Sequence, residues 1–170
     1  MQPLKNLIAN KYAMWSLISI TLTAIITASH HVFRDGVGQF VLWIIIILLP
    51  YVLMRWFAHT GTKWAVAIYG LYNILIIGGL GVVDGFLDHT LKALGFQHTT
   101  ILPGGEAEVV KTVFSLWSPA AGNSFYEGTG ILTFIGSVFA AVFLVQFIRT
   151  LHQRTEKTAQ QVREPGEARA

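Results

Sequence analysis

Apolar residues run in four long blocks, residues 13–32, 39–57, 64–87 and 129–148, separated by two short polar stretches and one long one. A hydrocarbon core of roughly 30 Å is crossed by about 20 residues of helix, so each block is long enough to span it. The second reads Phe-Val-Leu-Trp-Ile-Ile-Ile-Ile-Leu-Leu-Pro-Tyr-Val-Leu-Met from Phe40 to Met54 and carries no charge, which excludes an amphipathic soluble helix. The pattern predicts an all-α polytopic membrane protein: a four-helix transmembrane domain over residues 1–149, then a polar tail over 150–170. Pro50 should break the hydrogen-bond ladder of the second span, which a bundle tolerates if a neighbour satisfies the freed carbonyl.

The long polar stretch, residues 90–128, has its own pattern. After Pro103-Gly104-Gly105, the residues Val109, Val110, Val113, Phe114, Leu116 and Trp117 fall on one helical stripe, and Pro119 follows. An outer amphipathic helix over Glu106 to Trp117 is therefore expected, lying on the membrane surface or covering the mouth of the bundle, with Gly104, Gly105, Gly122, Gly128 and Gly130 as flexible flanks. Within the spans, Gly78, Gly79, Gly81 and Gly85, and the pairs Gly136-x3-Ala140 and Ser137-x3-Ala141, are small residues that let helices approach closely.

Composition agrees with the pattern: of 170 residues, 53% are hydrophobic and 12% charged, with a mean hydropathy of +0.54. That is more apolar surface than a soluble domain of this size buries. Lys5, Lys11, Arg55, Lys63, Arg149, Arg154, Lys157, Arg163 and Arg169 fall on one side of the four spans, against Arg34, Lys92 and Lys111 on the other. The positive-inside rule then puts both termini in the cytoplasm, and Tyr12, Trp15, Trp56 and Trp64 form an aromatic belt near that face. The first span exceeds the apolar core of a cleaved signal peptide and is expected to stay. A net charge of +3 with no aromatic-interleaved basic stripe suits an anionic lipid surface, not nucleic acid, and the tail from Thr150 to Ala170 is expected to be frayed or disordered. With no cysteine, disulfides and thiolate metal sites are excluded.

Charge beside lipid marks function by default, and two clusters close the first and third spans: His30-His31-x3-Asp35 and Asp84-x3-Asp88-His89. On α-helices His31 and Asp35 share a face, as do Asp84 and Asp88, with His89 turned about 100° from Asp88. Phe33-Arg34 before Asp35 and Gly36 after it mark a candidate helix end, and Arg34 offers Asp84 or Asp88 an ion-pair partner. Imidazole and carboxylate together suit Zn or Fe first, then Mn or Cu, so His31, Asp35, Asp84, Asp88 and His89 are the candidate ligands of a transition-metal ion. His30 is read more plainly as an interfacial polar residue, and His59 and His98 as solvated loop residues. Asn73, Thr21, Thr23 and Thr27 are read as interhelical hydrogen-bonding groups.

The stretch from Gly78 to His89, with its Asp84-Gly85-x3-His89, resembles the Gly-rich Asp-Gly-x3-His segment of a family of small predicted bacterial membrane proteins of unknown function. The resemblance carries over Asp84, Gly85 and His89 and implies a four-helix protein of the bacterial inner membrane, without implying an activity. The leading expectation is an outward-facing His/Asp metal site serving metal handling or a redox role. The alternatives are a proton- or ion-conducting or transport subunit, a bis-histidine haem protein using His31 and His89, and a structural membrane subunit. The expected partners are the lipid bilayer and either further copies of the chain or a larger membrane complex. No catalytic triad, phosphate loop or dinucleotide fingerprint is present.

Overall fold

The computed structural model describes residues 10–35, 37–96 and 118–167. The chain folds as α1 (Lys11–Asp35), a 3-10 turn (Val37–Gln39), α2 (Phe40–Thr60), α3 (Lys63–Leu75), a π-helix (Ile76–Thr90), one further helical turn (Leu91–Ala93) and α4 (Pro119–Glu167). No strand occurs among the described residues. Four helices are long and apolar enough to cross a membrane: Lys11–Val32, Phe40–Thr60, Lys63–Ala93 and Ala120–Lys157.

Side-chain contacts fix the direction of the helices. Early in α1 and α3, Ser16 Oγ and Tyr69 OH lie 2.9 Å apart, and Trp15 stacks on Phe143 from the later part of α4. Late in α1, Thr27 Oγ1 meets Thr133 Oγ1 of α4 at 3.1 Å, and His30 meets Asp84 of the π-helix. The start of α1 and the later part of α4 therefore share one end, which is also where Trp15, Trp56 and Trp64 are exposed. The opposite end is called the far end below.

The buried seam of α1 runs Asn10, Ala13, Ser16, Ile20, Thr23, Thr27, His30, in steps of three and four, as a helix burying one face requires. Its lower part joins Leu53, Met54, Tyr69, Tyr72, Ala140, Leu144 and Phe147 in an apolar core. Its upper part is polar. Outward-facing side chains are apolar instead, among them Val41, Leu42, Ile45, Leu48 and Val52 on α2 and Leu71, Ile74 and Leu75 on α3. An exposed surface of this kind is liable to aggregate in water and suits lipid.

Pro50 sits inside α2 and is buried. The carbonyl it frees, that of Ile46 four residues earlier, accepts a hydrogen bond from Tyr72 OH at 2.7 Å, the compensation the sequence calls for. Tyr72→Phe is expected to leave that carbonyl unsatisfied and lower stability by about 1–2 kcal/mol. Thermal unfolding of the variant in detergent checks this; an unchanged midpoint would remove the assigned role. Gly61 then ends α2 with φ +66°, its N–H bonded to Phe57 O at 2.8 Å, so α2 turns into α3 through Gly61 and Thr62 alone.

Several sequence expectations change. Residues 119–128, expected in the outer loop, are helical: Ser118 Oγ accepts the N–H of Ala121 at 3.3 Å and Pro119 takes the first helical position, so the proline opens a helix. Gly122, Gly128 and Gly130, expected as flexible flanks, thus lie inside α4. The tail, expected to fray, continues α4 as far as Glu167 through a run rich in the helix formers Gln, Lys, Glu and Arg. His59, placed in a loop, is in the last turn of α2 and exposed. The helix expected over Glu106 to Trp117, and His98, lie outside the described residues.

Candidate metal centre

The far end of the bundle gathers its polar groups from three helices. Asp84 projects from the π-helix, fully buried, and three imidazoles surround its carboxylate. His30 Nε2 is 3.1 Å from Asp84 Oδ2, His31 Nε2 is 3.5 Å from the same oxygen, and His89 Nε2 is 3.7 Å from Oδ1. His30 and His89 are buried and His31 is nearly so. Ligand atoms of His30, His31 and Asp84 all lie within 4.8 Å of one another.

The π-helix explains how Asp84 and His89 come together. Each backbone bond in such a helix reaches back five residues instead of four, so residues i and i+5 are brought toward one face. Leu91 N–H bonds Phe86 O, and Thr90 Oγ1 donates to Gly85 O at 2.8 Å, both five residues back. The buried positions of this segment are Ile76, Gly81, Asp84, Gly85, Asp88 and His89, recurring at intervals of four to five residues. In an α-helix five residues make 500°, which would turn His89 well away from Asp84.

Glycines admit the site. Gly81 packs against Ser137, and a Cβ on Gly85 would lie 2.7 Å from Phe134 N and 2.8 Å from Gly130 O, so the π-helix and α4 nearly touch. A Cβ on Gly130 would overlap the ring of His89. Aromatic rings wall the cluster: Tyr126 meets His30 and His89 edge-on at centroid distances of 5.4 and 4.7 Å, and Trp43 stacks on His31 at 5.2 Å. Glu127 of α4 closes the outer side, its Oε2 3.0 Å from His89 Nδ1 and its Oε1 2.6 Å from Lys92 Nζ.

Of the five expected ligands, the structure unites His31, Asp84 and His89. Asp88 is buried one turn along the same helix, outside the group of His30, His31 and Asp84 whose ligand atoms lie within 4.8 Å of one another. The helix α1 extends through Asp35, past the expected end, while the side chains of Asp35 and Arg34 lie outside the described residues. His30 and Glu127 were missed. The signal for His30 was the Ser16, Thr23, Thr27 seam, on which it is the next position; for Glu127 it was the Ser118-Pro119 helix start.

Chemically, the cluster offers nitrogen and carboxylate oxygen with hydrogen-bond capacity to spare. His30 Nδ1, Asp84 Oδ1 and His89 Nε2 are buried without a hydrogen bond among the described residues. Such groups are costly in a low-dielectric interior unless a proton, water or cation answers them. Ligands bonded at ~2.0–2.1 Å to a tetrahedral ion stand about 3.3 Å apart, and the separations of His30 and His31 Nε2 from Asp84 Oδ2, 3.1 and 3.5 Å, straddle that value, while His89 Nε2 lies 3.7 Å from the other oxygen, Oδ1. No family model matches the chain, and neither the curated proteins nor the solved structures yield a significant match, so the site rests on its own geometry.

Proposed function

We propose that the protein binds a transition-metal ion, Zn or Fe before Mn or Cu, at a His30/His31/Asp84/His89 site at the far end of a four-helix membrane bundle. The observation that carries this reading is the convergence of three imidazole Nε2 atoms on a single buried carboxylate at metal-ligand spacing. Three neutral imidazoles and one carboxylate hold a divalent ion with a net charge of +1, far cheaper to bury than the ion alone. The lysines and arginines near the opposite end, Lys11, Arg55, Lys63, Arg149 and Arg154 among them, support termini in the cytoplasm of a bacterial inner membrane, with the site facing outward. Metal handling or a redox role is the function proposed for that site.

A bis-histidine haem is disfavoured, because the Asp84 carboxylate stands between His31 and His89 where the macrocycle would have to lie. Proton conduction is the second reading, favoured by the buried hydroxyls of Ser16, Thr23, Thr27 and Thr133 that lead to His30. Elemental mass spectrometry of the detergent-purified protein separates the two. Near-stoichiometric Zn, Fe, Mn or Cu is expected, and the absence of metal after incubation with each ion would overturn the metal reading.

A further inference from the structure

The site has a support on α4. Glu127 uses both carboxylate oxygens, Oε2 toward His89 Nδ1 at 3.0 Å and Oε1 toward Lys92 Nζ at 2.6 Å. A carboxylate is an acceptor, so His89 donates its Nδ1–H and, as neutral imidazole, carries its lone pair on Nε2. That lone pair faces Asp84 Oδ1 at 3.7 Å, beyond hydrogen-bond reach, and both atoms are buried without a hydrogen bond among the described residues. Two acceptors opposed in this way attract only when something positive lies between them.

The ring has little freedom to turn away. Gly130 packs against one part of it, Tyr126 meets it edge-on, and Lys92, one turn beyond His89 in the chain, holds the Glu127 carboxylate from outside. Exposure of the side chains falls from 30% at Lys92 through 19% at Glu127 to 2% at His89, so the chain of contacts runs inward from the surface.

We infer that Lys92 and Glu127 are positioning residues that fix the tautomer and orientation of His89, and so set how tightly the site holds a divalent transition-metal ion. The inference rests on the metal reading above. A carboxylate behind a metal-bound imidazole raises its basicity and orients its lone pair, and losing such a partner typically weakens binding by about 10–100-fold. Lys92 is one step further removed and acts by balancing the Glu127 charge and anchoring its carboxylate.

The test is Co2+ and Zn2+ affinity of the full-length protein in detergent, measured by chelator competition, together with the visible absorption of bound Co2+. Glu127→Ala is expected to weaken both ions by about 10–100-fold and to alter the Co2+ bands. Glu127→Gln, which keeps an acceptor without the charge, is expected to fall between wild type and Glu127→Ala, and Lys92→Met to weaken binding by less. A structural role alone would move thermal stability and leave the bands of the bound ion unchanged. Wild-type affinity and bands in Glu127→Ala would overturn the positioning role while sparing the metal reading. A wild-type protein that binds neither ion would overturn both.

Discussion

Replacing Asp84 with Ala is expected to reduce the metal content of the purified protein from near one ion per chain to background. Asp84 contributes the only carboxylate among the converging groups, and all three imidazole nitrogens are arranged around it at 3.1–3.7 Å. Without it the site would hold a divalent ion with uncompensated charge in a buried setting, which three neutral nitrogens do not offset. In the metal-free protein the variant also removes the His30 Nε2–Asp84 Oδ2 hydrogen bond, at a cost of about 1–3 kcal/mol, so lost metal must be separated from lost fold. Asp84→Asn makes that separation. It keeps one acceptor oxygen at nearly the same volume while removing the charge and replacing the other oxygen with an NH2 donor, so it is expected to remain monodisperse and insert normally while losing the ion. His89→Ala is expected to weaken retention, and the double variant with Asp84→Ala to retain none. Full metal content in Asp84→Asn and in the double variant would place the ion elsewhere.

The four spans were legible because apolar length is a property of composition and survives any error in detail; the uncharged run around Pro50 admits no other reading. The same sequence logic anticipated that the carbonyl freed by Pro50 would need a partner, though not that Tyr72 would supply it. What stayed hidden depends on register. Asp84 and Asp88 share a face of an α-helix, and that periodicity paired them while turning His89 away; the π-helix brings His89, five residues on, back toward Asp84 as well. Backbone bonding of that kind leaves no mark in a hydrophobic pattern counted in steps of three and four. His30 was passed over because a histidine at a span end has an ordinary interfacial explanation, whereas its place on the buried seam of α1 depends on which face α4 covers. Glu127 was lost with the helix start, since a proline after an amphipathic run reads as a stop as readily as a first helical residue.

Gly85→Ala is expected to damage fold and site together, while Gly78→Ala does neither, although both glycines lie in the same π-helix. A methyl at Gly85 would lie 2.7 Å from Phe134 N, 2.8 Å from Gly130 O and 3.1 Å from Phe134 Cβ. Two of these are backbone atoms of α4, which cannot swing aside as a side chain can, so the helices must separate. Over-packing of a tight interface costs about 1–3 kcal/mol, and relief by backbone displacement moves what the backbone carries. Asp84 and His89 flank the position on the π-helix, and Gly130, whose missing Cβ makes room for the His89 ring, lies on the other side of the contact. Separation of the two helices would therefore lengthen the His89–Glu127 contact and loosen the packing of the His89 ring against Gly130, and so weaken metal retention as well as thermal stability. Gly78 has nothing within 4 Å of its notional Cβ, and Ala there is expected to change stability by no more than about 0.5 kcal/mol. Paired thermal unfolding and metal analysis of the two variants decides the matter. Equal behaviour of Gly85→Ala and Gly78→Ala would mean that the contact between the π-helix and α4 does not hold the site together, and that the glycine-rich segment serves the helix alone.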